Sequence, residues 1–224
     1  MIDLAQRARD KEILDVGVDE AEAAKSLSDL RLVNRWLGGQ KAIRRAVVPY
    51  LDGRARSTIL DVGCGSADLP VLLVRATGNR AFAVGLDLKL AHLKEAPPQL
   101  ARVVADVRSV PFPPRSFDVV TASLFLHHFD DEEVPPLLLS LYQLCRSALV
   151  VNDLHRAMVP YAFARLVFPW IFRSPVSVAD GLLSIRRAFR PKELARAFES
   201  AGIPGVRIQR AFPYRLVAIA ERSP

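Results

Sequence analysis

Between Thr58 and Leu69 the chain reads TILDVGCGSADL, an apolar run that carries one carboxylate and then breaks at two glycines. Burying the charge of Asp61 without a partner is costly, so that position calls for a cation or several donors. Gly63 and Gly65 let a ligand approach backbone that a Cβ would block, and a helix beginning just after them presents unpaired N–H groups. Asp87 closes the next apolar run, 22 residues beyond Gly65, where a carboxylate at a strand tip can accept hydrogen bonds from ribose hydroxyls. Asp68 occupies the position at which a dinucleotide fingerprint wants glycine, and an acid there repels a pyrophosphate. The pattern therefore suits a nucleoside that carries positive charge and no phosphate. A glycine pair alone is equally compatible with an ordinary strand-to-helix turn; the two acids argue for a ligand.

Two further apolar runs end in groups that can move protons. Phe117 to Ala122 leads through Ser123 to His127 and His128, and Leu149 to Asn152 leads to Asp153 and His155. A neutral imidazole in such a place can orient or deprotonate a substrate hydroxyl, although histidines also serve as packing residues. No HxxxH or carboxylate pair has ligand spacing, so no metal is expected.

These residues need a frame that brings strand ends together. Apolar runs alternate with helical patterns, which predicts a parallel sheet with right-handed crossovers, and ligands of open sheets of this kind bind outside the carboxyl edge. Helices are predicted over 19–37 and 41–51, with Gly38 and Gly39 between them, after a loose or partly helical arm over 1–17. Further helices are expected at 69–76, 89–95, 131–146 and 191–201, the third capped by the acids at its start. Strands are expected at 81–87, 102–105, 117–122 and 149–152, with 206–208 and 215–220 as a closing antiparallel pair. The connection from Ala157 to Phe189 is longer than usual. Its apolar residues, Trp170 among them, suit a pocket for a greasy substrate, and Asp180, Ser184 and Arg187 supply polar groups for selecting it.

The segments LDVGCGSADL (60–69), VGLDL (84–88), VVADVRSVPFPPRSFDVVTASLFLHHF (103–129) and LVVNDL (149–154), in that order, resemble the S-adenosylmethionine-dependent methyltransferases with a Rossmann-like fold. The resemblance runs from about Ile59 to Val151 and is strongest to the small-molecule branch that includes the quinone-biosynthesis enzymes. It implies an α/β fold: a seven-stranded, mostly parallel sheet with helices on both faces and an antiparallel last strand. It implies a helical cap over 1–55, with Asn34 and Trp36 placed to cover the cofactor, and a cofactor domain over 56–224 with a substrate-covering insertion at 155–190. S-adenosyl-L-methionine is then expected on Asp61, Gly63, Cys64, Gly65, Asp87, Leu88, Asp106, Val107, Ser123 and Leu124, with Asp106 accepting from the adenine amino group. His127, His128 and His155 are the candidate bases, and Asp153, Trp170, Asp180, Ser184 and Arg187 the candidate substrate contacts. Two departures stand out. Ala67 replaces the usual third glycine, and the usual Pro-Gly-Gly turn is missing between Leu144 and Val150.

Composition bounds the alternatives. A chain of 224 residues, half of them apolar, can bury one substantial core. Cys64 and Cys145 are the only cysteines, which points away from a disulfide framework and toward a cytoplasmic setting. No signal-peptide pattern opens the sequence, and the most apolar stretch, 157–172, is too short and too interrupted to span a bilayer. The net charge of +7 is concentrated C-terminally: residues 146–224 hold 13 basic and 5 acidic side chains, against 18 and 19 before them. That excess leaves room for peripheral membrane contact, or for a nucleic-acid methyltransferase or RNA-binding module as the rival reading. With no basic run interleaved with aromatics, nucleic acid is the less favoured partner. The expectation is a methyltransferase, monomeric or homodimeric, acting on a small aromatic, quinol-like or lipid-tailed acceptor, with oxygen favoured over carbon.

Overall fold

The computed structural model describes residues 3–36, 38–51, 56–94, 96–98 and 100–222, with the side chains of all but residues 30 and 33–36 in that range. The side chains of Asn34 and Trp36 thus lie outside the described residues. In chain order the elements are helices α1 (Ile13–Val16), α2 (Glu20–Trp36) and α3 (Gly39–Val47), then strand β1 (Ser57–Val62), α4 (Asp68–Ala76), β2 (Ala81–Asp87), α5 (Leu90–Lys94) and β3 (Ala101–Val104). There follow β4 (Phe117–Ser123), α6 (Val134–Leu144), β5 (Cys145–Leu154), α7 (Met158–Ile171), α8 (Pro175–Arg187), α9 (Pro191–Ser200), β6 (Arg207–Ala211) and β7 (Arg215–Glu221).

The strands form one seven-stranded sheet of order β3-β2-β1-β4-β5-β7-β6. β1 to β5 pair in parallel, and β7 runs antiparallel to both β5 and β6. Both faces are covered, which is why the central strands are near-continuous apolar runs rather than alternating ones. On one face Leu60, Val62, Val120 and Leu149 pack with Leu138 and Leu141 of α6 and Leu194 and Phe198 of α9. On the other, Ile59, Val119 and Val150 pack with Ile43 and Val47 of α3 and Leu69 and Leu73 of α4. Each fully buried aliphatic side chain contributes about 1.5–3 kcal/mol, so α3 is fastened to the sheet by its own stripe.

Local chemistry sets the boundaries. Ser174 caps α8 by accepting from the Ser177 N–H at 3.1 Å, and Pro175 follows as its first residue. Glu193 turns back to accept from the Arg190 N–H at 2.8 Å, fixing the start of α9. The helix expected over 131–146 is shorter at both ends. It begins at Val134 with prolines in its first turn, its N-cap Glu133 makes no side-chain capping bond, and at Cys145 the chain passes directly into β5. Without the Pro-Gly-Gly turn there is no loop between them, and β5 runs for ten residues rather than four. The stretch 157–189 is also not a loop: it forms α7 and α8, whose Tyr161, Ala164, Phe168 and Ile185 make a separate apolar cluster with Leu4.

The segment before α1 is strapped down rather than loose. Arg156, buried, donates from Nε to the Leu4 carbonyl at 3.1 Å, and Arg190 donates to the same oxygen at 2.8 Å. Arg7 reaches the Phe129 carbonyl at 2.9 Å and the Arg187 carbonyl at 2.6 Å. Among the described residues no helix is long and apolar enough to cross a membrane.

Candidate active site

A cavity of about 940 Å³ opens at the carboxyl edge of the sheet. Its first half is built on β1, β2 and β3. Gly63 and Gly65 adopt left-handed φ of +61° and +54°, which turns the chain sharply at the end of β1. Ala67 is left-handed too, at +60°, so the residue replacing the third glycine keeps a glycine-like backbone. A Cβ at Gly63 would collide with the Phe125 ring at 2.1 Å, whereas one at Gly65 would meet only Leu27 at 3.9 Å. Gly65 lines the cavity, so its missing side chain leaves room for a ligand against the backbone.

The Gly65 N–H donates to Asp87 Oδ2 at 2.9 Å, while Asp87 Oδ1 accepts from the Lys89 N–H at 2.9 Å and faces His92 Nδ1 at 3.3 Å. Burial disfavours this carboxylate, but the His92 ring and those N–H groups outweigh it and hold its pKa below the usual value. Asp61 behaves oppositely. Fully buried, it accepts from Thr121 Oγ1 at 2.6 Å, and desolvation together with the charge of Asp87 pushes it up to about 7. Among the described residues, the groups acting on it include no cation. A positively charged ligand would supply one.

Asp106 caps a single 3-10 turn, accepting from the Arg108 N–H at 2.9 Å, and lines the cavity beside buried Val107. Leu88 is a largely exposed part of the wall. Ser123 and Leu124 line the floor after β4, where Asn152 donates to Ser123 Oγ at 2.9 Å and the left-handed Leu124 donates to the Asn152 carbonyl at 2.8 Å. Cys64 packs on Gly85, where any Cβ would lie 2.7 Å from its sulfur. Desolvation and the neighbouring Asp61 and Asp87 raise its thiol pKa, so it is not a nucleophile.

The other half is built on β4, β5 and the α7–α8 pair. His127 is buried; its Nδ1 is 2.6 Å from Asp153 Oδ1, and its N–H donates to Asp153 Oδ2 at 3.1 Å. Burial disfavours the Asp153 charge, but the facing His127 lowers its pKa overall. His128 sits 2.7 Å from Asp15 Oδ2. Burial opposes its protonation, yet Asp15, Glu12 and Asp153 lift its pKa to about 9. His155 also lines the cavity, and burial plus Arg210, Arg190 and Arg156 push its pKa down. The three histidines therefore differ: one fixed by a carboxylate, one held as a cation, one kept neutral.

The candidate substrate contacts separate as well. Ser184 and Arg187 line the cavity, but Ser184 Oγ donates to Glu12 at 2.5 Å, and Arg187 is spent on the carbonyls of His127 at 2.7 Å and Asp10 at 2.6 Å. Asp180 does not line it. Its two oxygens accept from the Ile13 and Leu14 N–H groups at 2.8 and 2.9 Å, pinning α1. Asp153 lies behind His127 rather than in the wall, and Trp170, 88 % exposed, points away from the sheet because the buried stripe of α7 is Tyr161, Ala164 and Phe168. Glu12 and Asp15, which complete the wall, sit in a segment expected from sequence to be a loose or partly helical arm. Nothing local marks them, since their partners lie more than 110 residues away. A carboxylate and two imidazoles from remote segments converge here, a grouping that spacing along the sequence does not show.

Residues 59–148 match the family model of the methyltransferase domain. Over that stretch the chain resembles a methyltransferase domain. It is 30 % identical over 141 residues to a 2-phytyl-1,4-naphtoquinone methyltransferase of Nostoc punctiforme, a match covering 57 % of this chain and 60 % of that protein. It is 35 % identical over 101 residues to a demethylmenaquinone methyltransferase of Streptomyces griseus, covering 44 % and 43 %. The chain thus spans about half the length of these curated relatives. Among solved structures, the plantazolicin methyltransferase BpumL, in complex with a triazolic desmethylPZN analog and SAH, superposes with a TM-score of 0.70 at 14 % identity, over 92 % of this chain and 97 % of that one, which shows a shared fold. S-adenosylmethionine is the donor of this class of domain. A buried carboxyl on which no cation acts among the described residues, a strand-tip carboxylate at Asp87 and open backbone at Gly65 fit that donor.

Proposed function

We propose that the protein transfers a methyl group from S-adenosylmethionine to a hydroxyl of a small aromatic, quinol-like or lipid-tailed acceptor. One observation carries the reading: Asp61, Asp87 and Asp106 face the same cavity whose further wall holds His155 and the apolar Val159, Phe163, Phe168 and Phe172. By the strand order, the acids belong to the β3-β2-β1 half and the histidines to the β4-β5 half, so donor and acceptor meet over the centre of the sheet. Bound there, the sulfonium supplies an activated methyl group. The chain's task is to align the acceptor and keep water out. Asp61 and Asp87 hold the positive and ribose parts of the donor, and His155, kept neutral, takes the proton of the acceptor hydroxyl. His128 is unsuited to that step because it is already protonated near neutral pH.

The relatives' names, naphtoquinone and demethylmenaquinone methyltransferases, support a quinone-like ring. The face of α7 opposite its buried stripe supports a lipid setting: Met158, Val159, Phe163, Leu166 and Trp170 are all exposed, and the helix carries no acid. With 13 basic against 5 acidic residues after position 145, that face is read as resting on an anionic bilayer at the cytoplasmic side, next to a cavity wall it shares through Val159 and Phe163.

The test is a screen of phenols, quinols and long-tailed resorcinols with methyl-labelled donor. Label should reach an acceptor oxygen with wild-type protein and fall by about 100-fold or more with His155→Ala. Label on ring carbon would refute the oxygen assignment, and full activity of the variant would refute His155 as the base.

A further inference from the structure

In the acceptor half, Glu12, His127 and His128 each offer one donor atom, and the three atoms lie within 4.8 Å of one another. Glu12 Oε1 is 3.6 Å from His127 Nε2, and Glu12 Oε2 is 3.8 Å from His128 Nδ1. Both separations are too long for direct hydrogen bonds. Donors placed about 2.1 Å from a tetrahedral ion stand about 3.4 Å apart, so these gaps are close to what one shared cation needs.

The surroundings are those of a ligand set. Asp153 engages His127 at Nδ1, which leaves the lone pair of Nε2 directed at Glu12, the carboxylate–imidazole arrangement that orients metal-binding histidines. Glu12 is buried and is itself steadied by Ser184. Three carboxylates, Glu12, Asp15 and Asp153, face two imidazoles. The neighbouring cations are otherwise engaged: Lys89 bonds the Leu14 and Asp15 carbonyls, and Arg187 bonds the carbonyls of His127 and Asp10.

We propose that Glu12, His127 and His128 form a binding site for one divalent transition-metal ion in the acceptor half of the cavity. Two imidazoles and a carboxylate suit zinc, iron or cobalt rather than magnesium or calcium, which prefer all-oxygen sets. Asp15 Oδ2 lies 2.7 Å from the same His128 nitrogen, so the ion takes the place of the proton that the two share, and Asp15 is not one of the three ligands. The fourth position is left to an oxygen of the acceptor, whose hydroxyl the ion would acidify before His155 takes the proton. That last role rests on the methyl-transfer reading; the binding site itself does not.

The experiment is titration of Co2+ into metal-stripped protein, followed by visible absorption and by equilibrium dialysis. One Co2+ per chain is expected, with absorption bands unlike the hydrated ion and displaced by Zn2+. Glu12→Gln and His128→Ala should each weaken uptake at least about 10-fold and Asp153→Asn about 10- to 100-fold, while His155→Ala retains it. Near-ultraviolet circular dichroism establishes that each variant is folded, and Glu12→Gln, which keeps size and an acceptor for Ser184, is the decisive one. A spectrum of free hydrated Co2+ throughout, or equal uptake by wild type and Glu12→Gln, would overturn the site. Calorimetry with S-adenosylhomocysteine on the same samples reports on the donor half separately, so the two readings can fail independently.

Discussion

His127 Nδ1 lies 2.6 Å from Asp153 Oδ1, and both side chains are almost wholly removed from solvent. The pair joins the turn after β4 to the end of β5 under the floor of the cavity. Removing one member of a buried, hydrogen-bonded pair leaves the other uncompensated, at a cost of about 3–5 kcal/mol. Asp153→Ala should lose about that much in chemical denaturation, and Asp153→Asn clearly less. Because the folded pKa of Asp153 is depressed, its contribution is complete above the unfolded value of about 4 and disappears as pH falls through the folded one. A stability profile for Asp153→Ala parallel to wild type across the acid range would refute the linkage.

Asp61 has the opposite sign. Its folded pKa of about 7 exceeds the ordinary carboxylate value, so the ligand-free protein loses stability from this group as pH rises from about 4 to 7. A cationic donor reverses that preference by favouring the ionised form. Affinity for S-adenosylmethionine should therefore climb with pH up to about 7, with a proton released on binding. Calorimetry in two buffers of different ionisation enthalpy measures that release, and Asp61→Asn should abolish it.

The exposed face of α7 yields a separate expectation. Replacing Leu166 and Trp170 together by Asp should sharply reduce co-sedimentation with vesicles of anionic phospholipid and leave S-adenosylhomocysteine binding unchanged, because neither side chain lines the cavity. Undiminished vesicle binding would remove the bilayer from the account.

The strand, the glycine turn and the strand-tip acids were legible in the sequence because their signals are local, each occupying a few consecutive residues. Asp87 lies beside Gly65 because adjacent parallel strands end at the same edge. The half of the cavity built on β4 and β5 depends on side chains brought together from far apart. Glu12 and Asp15 lie in a polar, weakly patterned segment, and only the tertiary placement of α1, pinned by Asp180, sets them against His127 and His128. The exposure of Trp170 was not legible, because a helix with apolar residues all round does not declare which face is buried. The acids at 131–133 read as caps in the sequence, but the consecutive prolines Pro135 and Pro136 lie in the first turn of α6, which starts at Val134.

The central claim is that the bend after β1 holds a positively charged nucleoside steadied by Asp87. Its most direct test is calorimetric titration of the purified chain with S-adenosylhomocysteine, repeated for Asp87→Ala. The account predicts one site per chain and a loss of about 10- to 100-fold in affinity for the variant, the scale of a hydrogen bond to a charged group. No binding by wild-type protein, or equal affinity in the two, would contradict it.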